Sequence, residues 1–339
     1  MELEGLANAR VLVTGATGFL GTALVHRLVS GGIRVTALVR SPAKAKHLTD
    51  NGVDVVVGDI IEENAVEAAL HDVTVVYHLA GKLLVPGEAP SQYRKTHVDG
   101  TNLLLRCCRR QHRFERLVHC STTGVLGRTG TYGADETAPL DPSNVYEATK
   151  AEAELAVRAA SQDRVPTVIV RPGLVYGPGD LHLLAFFRSV LRRRFRPIGR
   201  KTIWLHPIYI NDMTDALVRC GVHPAAVGDC FHIAGRDPVS LEGLAATIAR
   251  EGGTRLPKGR IPLPAARALA ASCDHLPPTM RRAAPLTRNR LDFLTHSRVY
   301  DVAKALRLLG FVAATDLSTG VARSLAWYRA QGYLPAGPH

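Results

Sequence analysis

A chain of 339 residues, 46% of them hydrophobic, can bury a sizeable core but is long for one open sheet, so a main unit with a smaller lobe is expected. Its formal charge of +12 admits nucleic acid, an anionic surface or an acidic ligand as a partner. No apolar run approaches the ~20 residues that cross a bilayer, the acidic start Met1-Glu2-Leu3-Glu4 does not read as a secretory leader, and the six cysteines form no Cys-x-x-Cys pair, which argues for buried thiols in a reducing, cytoplasmic setting without a disulfide or metal framework.

In chain order, the first predicted strand, Val11-Leu12-Val13-Thr14, runs into Gly15-Ala16-Thr17-Gly18-Phe19-Leu20-Gly21 and then a helix to Leu28. Gly15 can take the positive φ of a tight strand-to-helix turn. Gly18 removes a Cβ where a pyrophosphate must approach the main chain, and Gly21 lets the helix lie close to the sheet. The first-turn N–H groups and the positive end of the helix dipole then face the phosphates. A glycine triplet alone is a weak signal; between a strand and a helix it indicates a dinucleotide site.

The second strand, Ile33 to Val39, ends at Arg40 with no acid beside it. An acid there would accept from the ribose 2′-hydroxyl of NAD, whereas Arg40 can pair with the 2′-phosphate of NADP, so NADP is expected, with NAD possible. The third strand, Val53 to Val57, leads to Gly58-Asp59-Ile60, where Asp59 can cap the next helix. The fourth, Val73 to Leu79, leads through His78-Leu79-Ala80-Gly81, and His78 by itself reads as a core histidine. The fifth, Arg116 to Cys120, opens on the hydroxyl-rich Ser121-Thr122-Thr123. Tyr146 and Lys150 then share one face of a helix at i and i+4. Such alternation predicts an α/β, Rossmann-type doubly wound parallel sheet.

Past residue 180 the pattern loosens. A helix is expected from Leu181 to Arg194, strands at Pro207 to Asp212 and Phe231 to Gly235, and a helix from Ser240 to Arg250. The cluster Arg192-Arg193-Arg194 with Arg196 lacks interleaved aromatics and any nucleic-acid motif, so it reads as solvated surface and no nucleic-acid partner is expected. Residues 256–289, rich in Pro, Ala and Arg, are the least interpretable. The expected organisation is a dinucleotide-binding unit over 1–180, with a return at about 200–235, and a mainly substrate-binding lobe with C-terminal helices over 181–339.

The Gly-x-x-Gly-x-x-Gly spacing together with Tyr146-x-x-x-Lys150 resembles the extended short-chain dehydrogenase/reductases, the superfamily of the NAD-dependent epimerases and dehydratases. With Tyr300-Asp301 and the last helix, the whole pattern is most similar to the 3β-hydroxysteroid dehydrogenase-like branch. The resemblance implies cofactor contacts at Gly15, Thr17, Gly18, Phe19, Leu20, Arg40, Asp59, Ile60, Leu79, Ala80, Gly81, Tyr146, Lys150 and Pro172. It makes Thr122, Tyr146 and Lys150 catalytic and brings Thr123 and Leu174 to the substrate, with Ser121 and Thr123 as alternatives to Thr122. His97 stands where the family usually has Asn, which leaves the support of the Tyr146 helix open. A homodimer through the helices after Gly100 and Tyr146 is also implied; Leu103, Leu104, Leu155 and Val157 would supply apolar contact, though core packing explains them as well.

Reducing a ketone puts negative charge on oxygen, which Tyr146 can meet with a proton. A free phenol titrates near ~10, and the Lys150 ammonium one turn away is expected to lower that value. Leu174 and Leu205 occupy places where sugar-nucleotide enzymes usually carry Asn and a phosphate-binding Arg, which favours an apolar substrate. The expected function is therefore NADP(H)-dependent hydride transfer to or from a secondary alcohol or ketone of a largely apolar small molecule. A nucleotide-sugar epimerase or dehydratase is the alternative. A non-catalytic, dinucleotide-binding regulatory or RNA-associated protein is the alternative of another class.

Overall fold

Runs of β-branched residues buried on both faces can only be covered by helices above and below, and the computed structural model, which describes residues 3–85, 87–274, 280 and 286–336, has that arrangement. Seven strands form one parallel sheet: β1 (Arg10–Thr14), β2 (Arg34–Val39), β3 (Asp54–Val57), β4 (Val75–His78), β5 (Arg116–Cys120), β6 (Thr167–Pro172) and β7 (Cys230–Ile233). Their order is β7-β6-β5-β4-β1-β2-β3. The crossing from β3 back to β4 reverses the winding beside β1, and in such sheets ligands bind at the carboxyl ends of the strands at that reversal.

Helices α1 (Phe19–Ser30), α2 (Glu63–Ala69), α3 (Gly100–Arg109), α4 (Val145–Gln162), α5 (Leu184–Leu191), α6 (Ile210–Val222), α7 (Leu241–Glu251), α8 (Arg288–Thr295) and α9 (Leu317–Ala330) carry the rest of the argument. On one face of the sheet, Leu24 and Leu28 of α1 pack with Met213 and Leu217 of α6. On the other, Val66, Leu104 and Val157 join α2, α3 and α4. A third cluster, with Phe187, Leu244, Ile248, Leu325 and Tyr328, ties α5, α7 and α9 together beyond the sheet's carboxyl end. Short strand pairs link this region to the sheet: Leu174–Tyr176 with Pro207–Tyr209, Trp204–Leu205 with Val239–Ser240, and Gly130–Ala134 with Arg298–Tyr300.

Several expectations need correction. The helix expected from Leu181 begins at Leu184, because the Asp180 carboxylate accepts from the His182 and Leu183 N–H groups and holds a turn first. It ends at Leu191, and Arg193 then takes a positive φ of 56°. Leu103, Leu104 and Val157 are core, 5%, 0% and 0% exposed, so of the four residues expected at a homodimer interface only Leu155 faces solvent. The stretch 256–289 contains a helix, Leu263–Asp274, and 275–279 and 281–285 within it lie outside the described residues. Among the described residues no helix is long and apolar enough to cross a membrane.

Candidate active site

The β1–α1 turn is built so that only glycine fits. Gly15 has φ 72°, and a Cβ there would lie 2.6 Å from the Leu79 carbonyl oxygen. Gly18 N–H donates to Gly15 O at 3.0 Å and closes the turn. Among the described residues no side chain caps α1, so its first N–H groups, at Phe19 and Leu20, remain open to an anion. Thr17 is exposed on the same turn. A bare helix N-terminus over a glycine cradle, at the winding reversal, fits the diphosphate of a dinucleotide. Arg40, exposed at the end of β2, makes no ion pair among the described residues. Asp59 does not cap α2 through its side chain; its N–H donates to the Glu62 carboxylate at 3.1 Å, while Ile60 is buried. Leu79 N–H donates to Thr14 O, and Ala80 N–H to Thr14 Oγ1 at 3.2 Å, which holds the segment before Gly81 against β1.

Three hydroxyls follow β5, and each has its own partner. Ser121 Oγ donates to Glu154 at 2.7 Å, and Thr123 Oγ1 donates to the Pro172 carbonyl at 2.8 Å. Thr122 Oγ1 caps the following short turn by accepting from Gly124 N–H at 3.1 Å, and it lies close enough to the Tyr146 phenol to favour the phenolate. The structure thus brings Thr122 and Tyr146 together and commits Ser121 and Thr123 elsewhere.

Tyr146 opens α4, whose N-cap is Asn144: its Oδ1 accepts from Glu147 N–H at 3.0 Å. Burial pushes the phenol above its ordinary value, Cys120 adds to the rise, and the Thr122 hydroxyl opposes it. In the protein alone burial sets the direction, opposite to the lowering expected from Lys150. The Lys150 ammonium, one turn on and buried, donates to the Cys120 carbonyl; burial pulls its pKa down against Cys120 and Glu154.

The place of the usual Asn is filled by a neutral histidine. His97 lies in a π-helical turn, Lys95–Asp99, leading into α3. Its Nε2 accepts from Lys82 N–H at 2.9 Å, so the ring proton resides on Nδ1, which donates to Thr149 Oγ1 at 2.8 Å. Thr149 in turn donates to the carbonyls of Val145 and Tyr146. A matching chain runs from Thr14 through His78 to Thr101, and Thr101 donates to the His97 carbonyl. Burial, then the Lys150 charge, lowers His97 and His78 to about 3, so both are uncharged at neutral pH. His97 thereby links the dinucleotide side of the sheet to the first turn of α4.

Beside Thr122 lies a cavity of about 170 Å³, lined by Thr123, Gly124, Glu147, Gly173, Leu174, Leu205, His206, Phe293, Arg298 and Tyr300. Leu174 and Leu205 are both on its wall. Sequence reasoning missed three residues here. Glu154 is fully buried and binds Arg171 at 2.7 Å; it lies four and eight residues beyond Lys150 and Tyr146, so helical spacing would have found it. Thr149 gave no signal of its own. Arg298 reaches the cavity from the far C-terminal side of the chain, and no local pattern marks it.

The model of the NAD dependent epimerase/dehydratase family matches residues 11–234. The chain belongs to that family. It is 32% identical over 93% of its length, and 98% of the other protein's, to a 2-alkyl-3-oxoalkanoate reductase from Stenotrophomonas maltophilia (strain K279a). It is 29% identical to a 3 beta-hydroxysteroid dehydrogenase/Delta 5-->4-isomerase from Mycobacterium tuberculosis (strain CDC 1551 / Oshkosh), covering 94% of this chain and 90% of that one. Among solved structures, UDP-glucuronic acid 4-epimerase from Bacillus cereus in complex with NAD superposes with a TM-score of 0.76 at 21% identity, over 96% of this chain and all of that one, and shows the shared fold. This member of the extended short-chain dehydrogenase/reductases is an enzyme of the dehydrogenase/reductase type.

Proposed function

We propose that this enzyme transfers a hydride between NADP(H) and a secondary alcohol or ketone of a largely apolar small molecule. The observation that carries the reading is the Thr122 hydroxyl, close enough to the Tyr146 phenol to act on its proton, on the wall of a cavity that also holds Leu174, Leu205 and Phe293. A ketone oxygen at that pair meets two hydroxyls. Burial keeps the Tyr146 phenol protonated, so it is ready to give its proton as charge develops on oxygen. Lys150 then steadies the resulting phenolate, and Thr122 holds the substrate oxygen in place. The bound dinucleotide supplies or takes the hydride. Gly15, Thr17, Gly18, Phe19 and Leu20 would hold its diphosphate, Asp59 and Ile60 its adenine side, Leu79, Ala80, Gly81 and Pro172 its middle, and Tyr146 and Lys150 its nicotinamide ribose.

Arg40 supports NADP over NAD, since it is exposed, without an ion-pair partner among the described residues, and at a strand end lacking an acid. Two relatives named for reductase and dehydrogenase reactions on an oxoalkanoate and a steroid support an alcohol–ketone conversion on an apolar skeleton. Leucines at 174 and 205 speak against a sugar diphosphate. Residues 1–180 with the return at 200–235 would serve the dinucleotide, and the remainder mainly the substrate. The test is a panel of ketones and secondary alcohols with NADPH, NADH and their oxidised forms, followed at the nicotinamide absorbance. Turnover with an NADP(H) preference that Arg40→Asp reverses is expected. No turnover across the panel would contradict the reading, and an unchanged preference in Arg40→Asp would contradict the cofactor assignment.

A further inference from the structure

Among the described residues the cavity wall carries one cation, and its charge is only partly answered. Arg298, on the strand Arg298–Tyr300, lines the same cavity as Thr122. Its side chain is 18% exposed, and among the described residues its guanidinium makes one hydrogen bond, from Nη2 to Asp292 at 2.7 Å. Asp292 is shared: Arg128 donates to it at 2.7 Å, and His296 lies 3.0 Å away. Two guanidiniums on one carboxylate leave a unit of positive charge uncompensated. The other charged group on the wall is Glu147, whose Oε2 accepts from both the N–H and the hydroxyl of Ser143, at 2.8 and 2.6 Å, in the first turn of α4. No ion pair joins Glu147 to Arg298 among the described residues. His206 donates to the Gly235 carbonyl, and burial lowers its pKa, so it stays neutral.

A guanidinium has five N–H donors in a fork that suits a carboxylate, and the largely buried Arg298 side chain is screened less than a surface cation. We propose that the substrate is an oxo or hydroxy acid, its carboxylate bound by Arg298 while its carbonyl or hydroxyl oxygen faces Thr122 and Tyr146 and its hydrocarbon part lies on Leu174, Leu205 and Phe293. This rests on the alcohol–ketone reading above and names Arg298 as the residue that sets specificity.

The test uses 3-hydroxydecanoate and its methyl ester, which differ at that end in the charge and one methyl group. Each is titrated calorimetrically into the protein holding NADPH, a pairing that cannot react, and each is then assayed for oxidation with NADP⁺. The acid should bind about tenfold or more tighter than the ester, as a hydrogen bond to a charged group implies. Arg298→Gln should abolish that difference and leave the ester's affinity unchanged. Arg128→Ala, which removes the other guanidinium from Asp292, should narrow it. Asp292→Asn, which frees the guanidinium, should tighten the acid alone, and it stands in should Arg298→Gln not fold. Equal binding of acid and ester, no binding of either, an equal loss for both in Arg298→Gln, or no change for the acid in Asp292→Asn would overturn the proposal. Oxidation of the ester with no preference for the acid would sink it while the alcohol–ketone reading stands. Binding of the acid that depends on Arg298 without any oxidation would sustain it while that reading fails.

Discussion

Ser121, Thr122 and Thr123 offer similar hydroxyls, and what separates them is where each one's hydrogen bond goes. Counting back from Gly127 selects Thr122, but it cannot see that Ser121 is committed to a carboxylate 33 residues away and Thr123 to a carbonyl 49 residues away. Thr122→Ala should therefore lower turnover while Thr122→Ser keeps most of it. Thr123→Ala should act on stability, by about 1–3 kcal/mol for the Pro172 carbonyl left unpaired, measured by urea unfolding. Activity lost in Thr123→Ala but kept in Thr122→Ala would show that the roles are reversed. Tyr146 illustrates the opposite limit. The i, i+4 spacing to Lys150 was legible, but the sequence does not reveal how closely β5 packs around the phenol, and that burial raises its pKa.

At the scale of elements, α4 is fastened to the sheet by a buried ion pair. Glu154, 0% exposed at its side chain, meets Arg171 of β6 at 1% exposure, with Ser121 and Arg158 also donating to it. Removing one partner leaves the other's charge buried and unpaired, so Glu154→Ala should cost about 3–5 kcal/mol, again read by urea unfolding. The other fastening is His97. His97→Leu would strip Lys82 N–H and Thr149 Oγ1 of a partner, at about 1–3 kcal/mol each if both stay buried, whereas His97→Asn can both accept and donate and should cost less. Equal losses in the two variants would rule out the hydrogen-bonding role. The histidine was visible as a departure from the family pattern; its tautomer and partners needed the packing of α3 against α4.

Across the whole molecule, legibility follows the length of the elements. The sheet was readable because its strands are continuous β-branched runs, and the glycine turn marked its ligand edge. Beyond β6 the strand at 231–235 and the helix over 240–250 were readable, but their assembly was not, because the region is joined by strands of two or three residues and by a core drawn from apolar side chains scattered between Tyr176 and Leu334. Charge adds a property of the whole fold. His78 and His97, lowered to about 3, His232, lowered to about 4, and His119, driven well below its ordinary value, are all neutral when folded, with burial the leading cause. Each folded pKa lies below the unfolded value near ~6.5, so the unfolded chain takes up protons first as pH falls. Stability should thus be full above pH ~6.5 and decline toward pH ~4, by on the order of 2 kcal/mol per such histidine at pH ~5. Urea midpoints between pH ~8 and ~5 check this, and a midpoint that does not fall would contradict it.

The proposed chemistry depends most directly on one proton. On any ketone that the wild type reduces with NADPH, Tyr146→Phe should turn over about 10²–10⁴ times more slowly, the usual loss when a positioned acid is removed. NADPH binding should survive, because the ring does not carry the diphosphate. A Tyr146→Phe protein that folds, binds NADPH and reduces the ketone as fast as the wild type would contradict the account.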